Sequence, residues 1–118
     1  MEQLATSSFR LGIVAGGQLG KMLALAASNW DVKTYILDSD RHCPAAGACT
    51  CWIEGDYSQF DPVYEFGQRV DMVTFEIENV NVDALQQLKR EGKRILPEPD
   101  ILAMIQDKGQ QKEFFRRH

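Results

Sequence analysis

The sequence predicts an α/β domain in which helices cover both faces of a parallel sheet. Three observations support this prediction. The length of 118 residues suits one domain. Apolar, strand-like segments alternate with helical segments along the whole chain. A glycine cluster separates the first strand from the first helix. We therefore expect residues 1–118 to form a single domain, with a flexible tail at residues 1–8.

The first third of the chain has the pattern of a β-α-β unit. Residues 9–15 form a short apolar run that predicts a buried strand, and Gly16 and Gly17 end it. Apolar side chains then recur at helical spacing, which predicts a helix over residues 19–29. Residues 32–37 are β-branched and aromatic, which predicts a second strand parallel to the first.

The rest of the chain continues this alternation. Asp61 is predicted to cap a helix and Pro62 to occupy its first position, with the helix ending near residue 69. A further helix is predicted to be capped by Asn81 or Asp83 and to be stopped by Gly92. The remaining predictions are a loop over residues 39–48, strands over 49–53, 72–75 and 94–96, and helices over 100–106 and 109–117.

Composition and local sequence patterns indicate which partners the protein binds and in which compartment we expect it. Lys and Arg number 13 against 17 Asp and Glu, and this acidic balance argues against a nucleic-acid binder. Residues 1–8 lack the pattern of a secretory signal, and the longest apolar stretch is too short to span a membrane. Cys43, Cys49 and Cys51 lack the paired spacing of a zinc site, so we interpret them as reduced thiols. These observations predict a cytoplasmic protein with no metal site of its own.

The strongest local motif is the glycine loop, defined here as residues 15–20, between the first strand and the first helix. Glycines suit this turn because it needs positive φ, close approach of a ligand and close packing of helix on strand. Ala15 replaces the first glycine of the dinucleotide fingerprint, although Asp38 stands at the spacing of its ribose-binding acid. The motif alone leaves three alternatives: a nucleotide cofactor, another phosphorylated or anionic ligand, or a tight turn without a ligand.

A second motif follows the predicted strand at residues 72–75. Glu76 and Glu78 alternate with apolar side chains in the segment TFEIENV, so a strand would place both acids on one side. The carboxyl ends of parallel strands are where α/β sheets bind ligands, and carboxylates there can accept from hydroxyl or amine groups. A solvated acidic turn before a helix is the alternative, since acids also suit a helix N-terminus.

Taken together, the two motifs resemble a known family. The similarity is carried by GGQLGKMLALAA, LDSD, VDMVTFEIENV and IQDKGQQKEFF, in that order, and runs from about residue 10 to the end of the chain. These segments resemble the N5-carboxyaminoimidazole ribonucleotide synthetase family of the ATP-grasp superfamily. The resemblance implies a Rossmann-like N-terminal domain, followed in the family by an ATP-lid domain and a C-terminal domain. Residues 107–118 would begin the connection to the lid.

The resemblance also implies a reaction and its participants. The family's ligases couple ATP, Mg²⁺ and bicarbonate to the carboxylation of 5-aminoimidazole ribonucleotide in purine biosynthesis, by way of carboxyphosphate. The implied partners are these small molecules, the remaining domains and a second subunit in a homodimer. Since most ATP and metal ligands would lie in those remaining domains, we expect this chain to be inactive alone. The alternatives are a non-catalytic dinucleotide-binding module, or the N-terminal domain of another ATP-grasp carboxylase or transformylase.

Site residues follow from the same resemblance. It implies that Glu76 faces the substrate, that Asp38 has a weaker claim to contact it, and that Lys108 approaches the ATP phosphates. It assigns no catalytic residue and no metal ligand to this chain. Ala15 departs from the family's usual glycine, which we expect to be tolerated at the end of the first strand. The remaining residues implied to line the substrate site belong to the glycine loop: Gly16, Gly17, Gln18 and Leu19.

Overall fold

The computed structural model describes residues 9–30, 32–75 and 79–97, which form a five-stranded sheet and three α-helices. A 3-10 turn at Pro44–Gly47 lies between the second and third strands. The elements are β1 (Arg10–Val14), α1 (Gln18–Ser28), β2 (Lys33–Asp38), β3 (Cys51–Glu54), α2 (Phe60–Gln68), β4 (Met72–Phe75), α3 (Val82–Arg90) and β5 (Arg94–Pro97). No helix within the described ranges is long and apolar enough to cross a membrane.

The strands lie in the order β3-β2-β1-β4-β5, and all four pairings are parallel. The chain runs outward from the central strand β1 to β2 and β3, then returns past β1 to β4 and β5. The direction of winding therefore reverses between β1 and β4. In open α/β sheets, ligands bind outside the carboxyl ends of the strands at such a switch point.

Apolar layers cover both faces of the sheet, which confirms the predicted α/β architecture. On one face, α1 packs through Leu23, Ala24 and Ala27 against side chains of β1 and β2. On the other face, α2 and α3 pack against β1 and β4, and their buried side chains include Val63, Phe66, Ala84 and Leu85. The central strands β1, β2 and β4 are thus largely buried, as expected for parallel strands, whereas the edge strands β3 and β5 are partly exposed.

Several boundaries differ from the predictions for local reasons. Asp61 does not cap α2, because Gln59 is the N-cap and Asp61 lies in the first turn. Pro62 is then the third helical residue, where its missing N–H costs nothing. The third strand begins at Cys51, after a backbone bond from Cys49 N–H to Ala45 O prolongs the preceding turn. Residues 1–8 and the predicted helices at 100–106 and 109–117 lie outside the described residues.

Other local predictions are confirmed. The strand over residues 72–75 has the predicted bounds. Asn81 is the N-cap of α3, and its side-chain oxygen accepts from Ala84 N–H at 2.9 Å. Gly92 follows the end of α3 with φ +95°, the left-handed geometry that favours glycine there.

Two buried polar atoms have no hydrogen-bond partner among the residues that the structure describes: Thr74 Oγ1 and Trp52 Nε1. Both belong to one row across the sheet, in which Trp52 pairs with Ile36, Ile36 with Ile13, and Ile13 with Thr74. Burying an unpaired hydroxyl is unfavourable because its bonds to water are lost without replacement. The unpaired Thr74 hydroxyl therefore lowers the stability of the fold.

Thr74→Val is expected to raise the free energy of unfolding by about 1 kcal/mol, since it removes the unpaired hydroxyl and keeps the branched shape. Urea unfolding measures the change. Thr74→Ser is the matched control, because it keeps the hydroxyl and loses a methyl group; it should lower stability by about 1 kcal/mol. A valine variant that unfolds at lower urea than wild type would contradict this interpretation.

Candidate functional site: the glycine loop at the switch point

The glycine loop follows β1 directly and is tied to two neighbouring segments by its backbone. Ala15 N–H donates to Leu37 O at 2.9 Å. Gly16 N–H donates to the Asp38 carboxylate at 2.8 Å, and Gly16 O accepts from Ala45 N–H at 2.8 Å. Both polar groups of the buried Gly16 are therefore satisfied, and the loop is held from the side of β2 and from the 3-10 turn.

The glycines of the loop have different surroundings. A Cβ at Gly16 would lie 2.6 Å from Cys43 Sγ and 2.9 Å from Ile36 Cγ2. A Cβ at Gly20 would lie 2.8 Å from Ala15 O, so glycine is what lets α1 pack closely on the strand. Around Gly17, a Cβ would meet no atom of the described residues within 4 Å. Gly16 and Gly20 thus serve packing, whereas Gly17 leaves open space above the start of α1.

Ala15 takes the conformation that was predicted for a glycine. Strand β1 ends at Val14, and Ala15 has φ +79°, in the left-handed region. The predicted end of the first strand at Ala15 is therefore wrong, because Ala15 lies in the loop that follows the strand. The loop needs positive φ at position 15, and alanine adopts it at a cost of roughly 1–2 kcal/mol.

Ala15→Gly is expected to raise the free energy of unfolding by about 0.5–1 kcal/mol, because relief of the left-handed strain exceeds the greater entropy of unfolded glycine. The melting temperature measures the effect. Ala26→Gly, the same change inside α1, is the control and should destabilise by about 1 kcal/mol. If both variants melt at a lower temperature than wild type, relief of strain at position 15 does not determine the stability of Ala15→Gly.

The N-terminus of α1 is arranged to accept an anion. Its N-cap is Gly17, which has no side chain to accept from the first-turn N–H groups, and the first turn contains no acidic residue. The first donor of the helical ladder is Lys21 N–H, which bonds to Gly17 O at 2.9 Å. The N–H groups of Gln18 and Leu19 precede it and carry the positive end of the helix dipole. Anions bind at such termini.

Asp38 lies beside the loop, but its carboxylate is occupied by the backbone. One oxygen accepts from Gly16 N–H at 2.8 Å and the other from Asp40 N–H at 3.0 Å. In a dinucleotide site, the acid after the second strand instead accepts from a ribose hydroxyl. The structure therefore places Asp38 next to the candidate site as a support of the loop.

The cysteines are free thiols, and one of them belongs to the site. Cys43 is buried against Gly16. Burial raises the pKa of the Cys43 thiol, and the negative charge of Asp38 adds to this effect. Burial likewise raises the pKa of Cys49. Within the described ranges, no three His, Cys, Asp or Glu side chains group as potential metal ligands.

The predicted site is brought together in part. Gly16, Gly17, Gln18, Leu19 and Asp38 all lie at the carboxyl edge of the sheet, as expected. Glu76, Glu78 and Lys108 lie outside the described residues. Sequence reasoning missed the contribution of Cys43 and Ala45, since nothing local to either residue indicates that it contacts a loop almost 30 positions earlier.

The fold and the glycine loop together define a class of protein. It is a Rossmann-like α/β domain in which the N-terminus of a helix, suited to binding an anion, lies at the topological switch point of the sheet. The particular family follows from comparison. The family model "Ribonucleotide synthetase preATP-grasp domain" matches residues 9–106, and the chain belongs to this family. The synthetase resemblance predicted from the two motifs is thereby confirmed.

Two curated relatives are similar to most of this chain. The chain is 38% identical over 102 residues to the chloroplastic phosphoribosylaminoimidazole carboxylase of Vigna aconitifolia, covering 86% of this chain and 18% of the relative. It is 38% identical over 104 residues to the N5-carboxyaminoimidazole ribonucleotide synthase of Brucella melitensis, covering 88% and 28%. The chain thus spans less than a third of the length of these relatives.

Two solved structures support the family assignment. The N5-carboxyaminoimidazole ribonucleotide synthetase of Thermotoga maritima superposes with a TM-score of 0.71 at 33% identity, covering 92% of this chain and 30% of that one. The Aspergillus clavatus synthase, in complex with ADP and 5-aminoimidazole ribonucleotide, superposes with a TM-score of 0.67 at 33% identity, covering 94% and 30%. At these identities, the shared fold reflects a shared family.

Proposed function

We propose that this chain is the N-terminal, substrate-binding domain of a ligase that carboxylates 5-aminoimidazole ribonucleotide in purine biosynthesis. The observation that carries the proposal is the glycine loop of a ribonucleotide synthetase family member, with its uncapped helix start facing open space at Gly17. The Aspergillus relative binds 5-aminoimidazole ribonucleotide and ADP. The substrate carries a phosphate, which is the kind of group that a helix N-terminus binds.

Within this proposal, the residues have distinct roles. Backbone N–H groups of Gln18 and Leu19 bind the ribonucleotide, and Gly17 leaves room for it. Gly16 anchors the loop beneath that space. Glu76 is proposed to accept from the substrate's ribose or amine, and Lys108 to approach the ATP phosphates. Bicarbonate is the proposed carboxyl source.

ATP and Mg²⁺ are the proposed cofactors of the whole ligase. No three possible metal ligands come together within the described residues. From the family resemblance, we propose that the Mg²⁺ ligands belong to the remaining domains. We also propose a cytoplasmic location and a homodimer. Met22 and Leu25, exposed on α1, are candidates for contact with the remaining domains or a second subunit.

The position of Asp38 argues against the alternative of a dinucleotide-binding module. Each of its carboxylate oxygens already accepts one backbone N–H group, which leaves fewer acceptor sites for the two hydroxyls of a ribose. A melting experiment separates the two functions, because a ligand at 100 times its Kd stabilises by about 2.7 kcal/mol. We expect 5-aminoimidazole ribonucleotide to raise the melting temperature and NAD to leave it unchanged; the reverse result would favour the dinucleotide module.

ADP release tests whether the chain can catalyse the reaction without the other domains. The 118-residue chain, mixed with ATP, Mg²⁺, bicarbonate and 5-aminoimidazole ribonucleotide, is expected to release ADP no faster than a mixture without protein. A relative of full length, such as the Thermotoga maritima synthetase, is the positive control. Substrate-dependent turnover by this chain would overturn the assignment of the remaining machinery to other domains.

A further inference from the structure

Strand β2 contacts the glycine loop through a backbone bond at Leu37 and through the charged side chain of Asp38. Its oxygens accept from Gly16 N–H at 2.8 Å and from Asp40 N–H at 3.0 Å. Hydrogen bonds to a charged acceptor are stronger than neutral ones. Asp38 therefore fixes the peptide that precedes the open space at Gly17.

The N–H groups of Gly16 and Asp40 each need an acceptor oxygen, which explains why position 38 carries an acid. An aspartate offers one oxygen to each N–H group, whereas an asparagine has a single acceptor oxygen and would turn its NH₂ group toward the other donor. The amide could satisfy either Gly16 or Asp40, but not both. Asp38→Asn thus removes one of the two hydrogen bonds and leaves the volume of the side chain almost unchanged.

The loop is held on its other side by the 3-10 turn. Ala45 N–H donates to Gly16 O at 2.8 Å, and Cys43 packs on the α-carbon of Gly16. Asp38 thus holds the peptide group between Ala15 and Gly16, and Ala45 holds the one between Gly16 and Gly17. Ala15, which has φ +79°, is flanked by two held peptide groups, through its own N–H to Leu37 O and through Gly16 N–H to Asp38. These bonds lie directly before the first turn of α1.

We infer that Asp38 is a positioning residue, which presents the N-terminus of α1 to the ribonucleotide by holding Gly16 and does not itself contact the ligand. This inference rests on the proposed function and revises the weak substrate contact first expected for Asp38. A binding site must be held in its productive geometry by supporting bonds, and losing one weakens binding at a distance.

The test compares Asp38→Asn and Asp38→Ala with Asp40→Asn in the 118-residue chain. Asp40 is the matched control, because it is an exposed acid two positions away whose side chain accepts from His42 N–H and does not touch the loop. Amide hydrogen exchange at Gly16 is measured without ligand, and affinity for 5-aminoimidazole ribonucleotide is measured by calorimetry. The first readout does not depend on the proposed function.

We expect exchange at Gly16 to accelerate by about 10- to 100-fold in Asp38→Ala, the effect of losing one bond to a charged acceptor, and by less in Asp38→Asn. Affinity should fall in the same order, and Asp40→Asn should stay within about twofold of wild type on both measures. Weaker affinity with unchanged Gly16 exchange would overturn the inference in favour of direct contact. Unchanged exchange and affinity would also overturn it. If the wild-type chain fails to bind, the proposed function fails for this chain, and exchange at Gly16 alone decides whether Asp38 holds the loop.

Discussion

Gly16→Ala is expected to lower the free energy of unfolding by about 1–3 kcal/mol, whereas Gly17→Ala should change it by less than about 1 kcal/mol. The new methyl group at position 16 would lie 2.6 Å from Cys43 Sγ and 2.9 Å from Ile36 Cγ2. Ile36 is fully buried and Cys43 nearly so, so neither can move aside freely. At Gly17 the same methyl group meets no atom within 4 Å in the part of the chain that the structure describes.

Urea unfolding of the two variants measures this difference, and a third substitution tests its cause. Cys43→Ala removes the closest atom, so the double variant Cys43→Ala/Gly16→Ala should lose less than the sum of its parts. Additive losses would show that contact with Cys43 is not the source of the strain. Equal stability of Gly16→Ala and Gly17→Ala would contradict the packing described for the loop.

The second large change in stability is expected where α1 packs on the sheet. Leu23→Ala is expected to destabilise the protein by about 2–5 kcal/mol, because Leu23 is fully buried between α1 and the sheet and its truncation leaves a cavity. The same helix supplies the N-terminal N–H groups of the candidate site. Loss of this contact should therefore weaken ligand binding as well as stability.

Leu25→Ala is the matched control for Leu23→Ala, since it makes the same chemical change two positions away in the same helix. Leu25 is 48% exposed, so its truncation should cost less than about 1 kcal/mol. Chemical unfolding at equilibrium compares the two. A similar loss for both variants would mean that α1 does not pack on the sheet through the face described here.

The sequence was informative wherever local chemistry decides the structure. The cap at Asn81, the stop at Gly92 and the strand Met72–Phe75 were all predicted, because each depends on residues within one turn or one strand. Parallel pairing followed from the alternation of strands and helices, which leaves few other topologies. The two motifs, in their order, were sufficient to indicate the family.

The supports of the glycine loop could not be predicted, because they depend on contacts through space. Gly16 meets Asp38, Cys43 and Ala45 only after β2 and the 3-10 turn have folded beside β1. Their sequence separations exceed 20 residues, so no periodicity reports them. For the same reason the left-handed φ of Ala15 was missed. An alanine after an apolar run is ordinary in sequence, and its positive φ belongs to the folded loop.

The proposed function depends on the claim that the space above Gly17, at the start of α1, binds 5-aminoimidazole ribonucleotide. Titration calorimetry of this ribonucleotide into wild type and Gly17→Ala tests the claim most directly, because the alanine methyl group would enter that space without disturbing the fold. We expect saturable binding by wild type and affinity at least about tenfold weaker in the variant, the loss of roughly one hydrogen bond. Equal affinity in both proteins, or no binding by wild type, would contradict the claim.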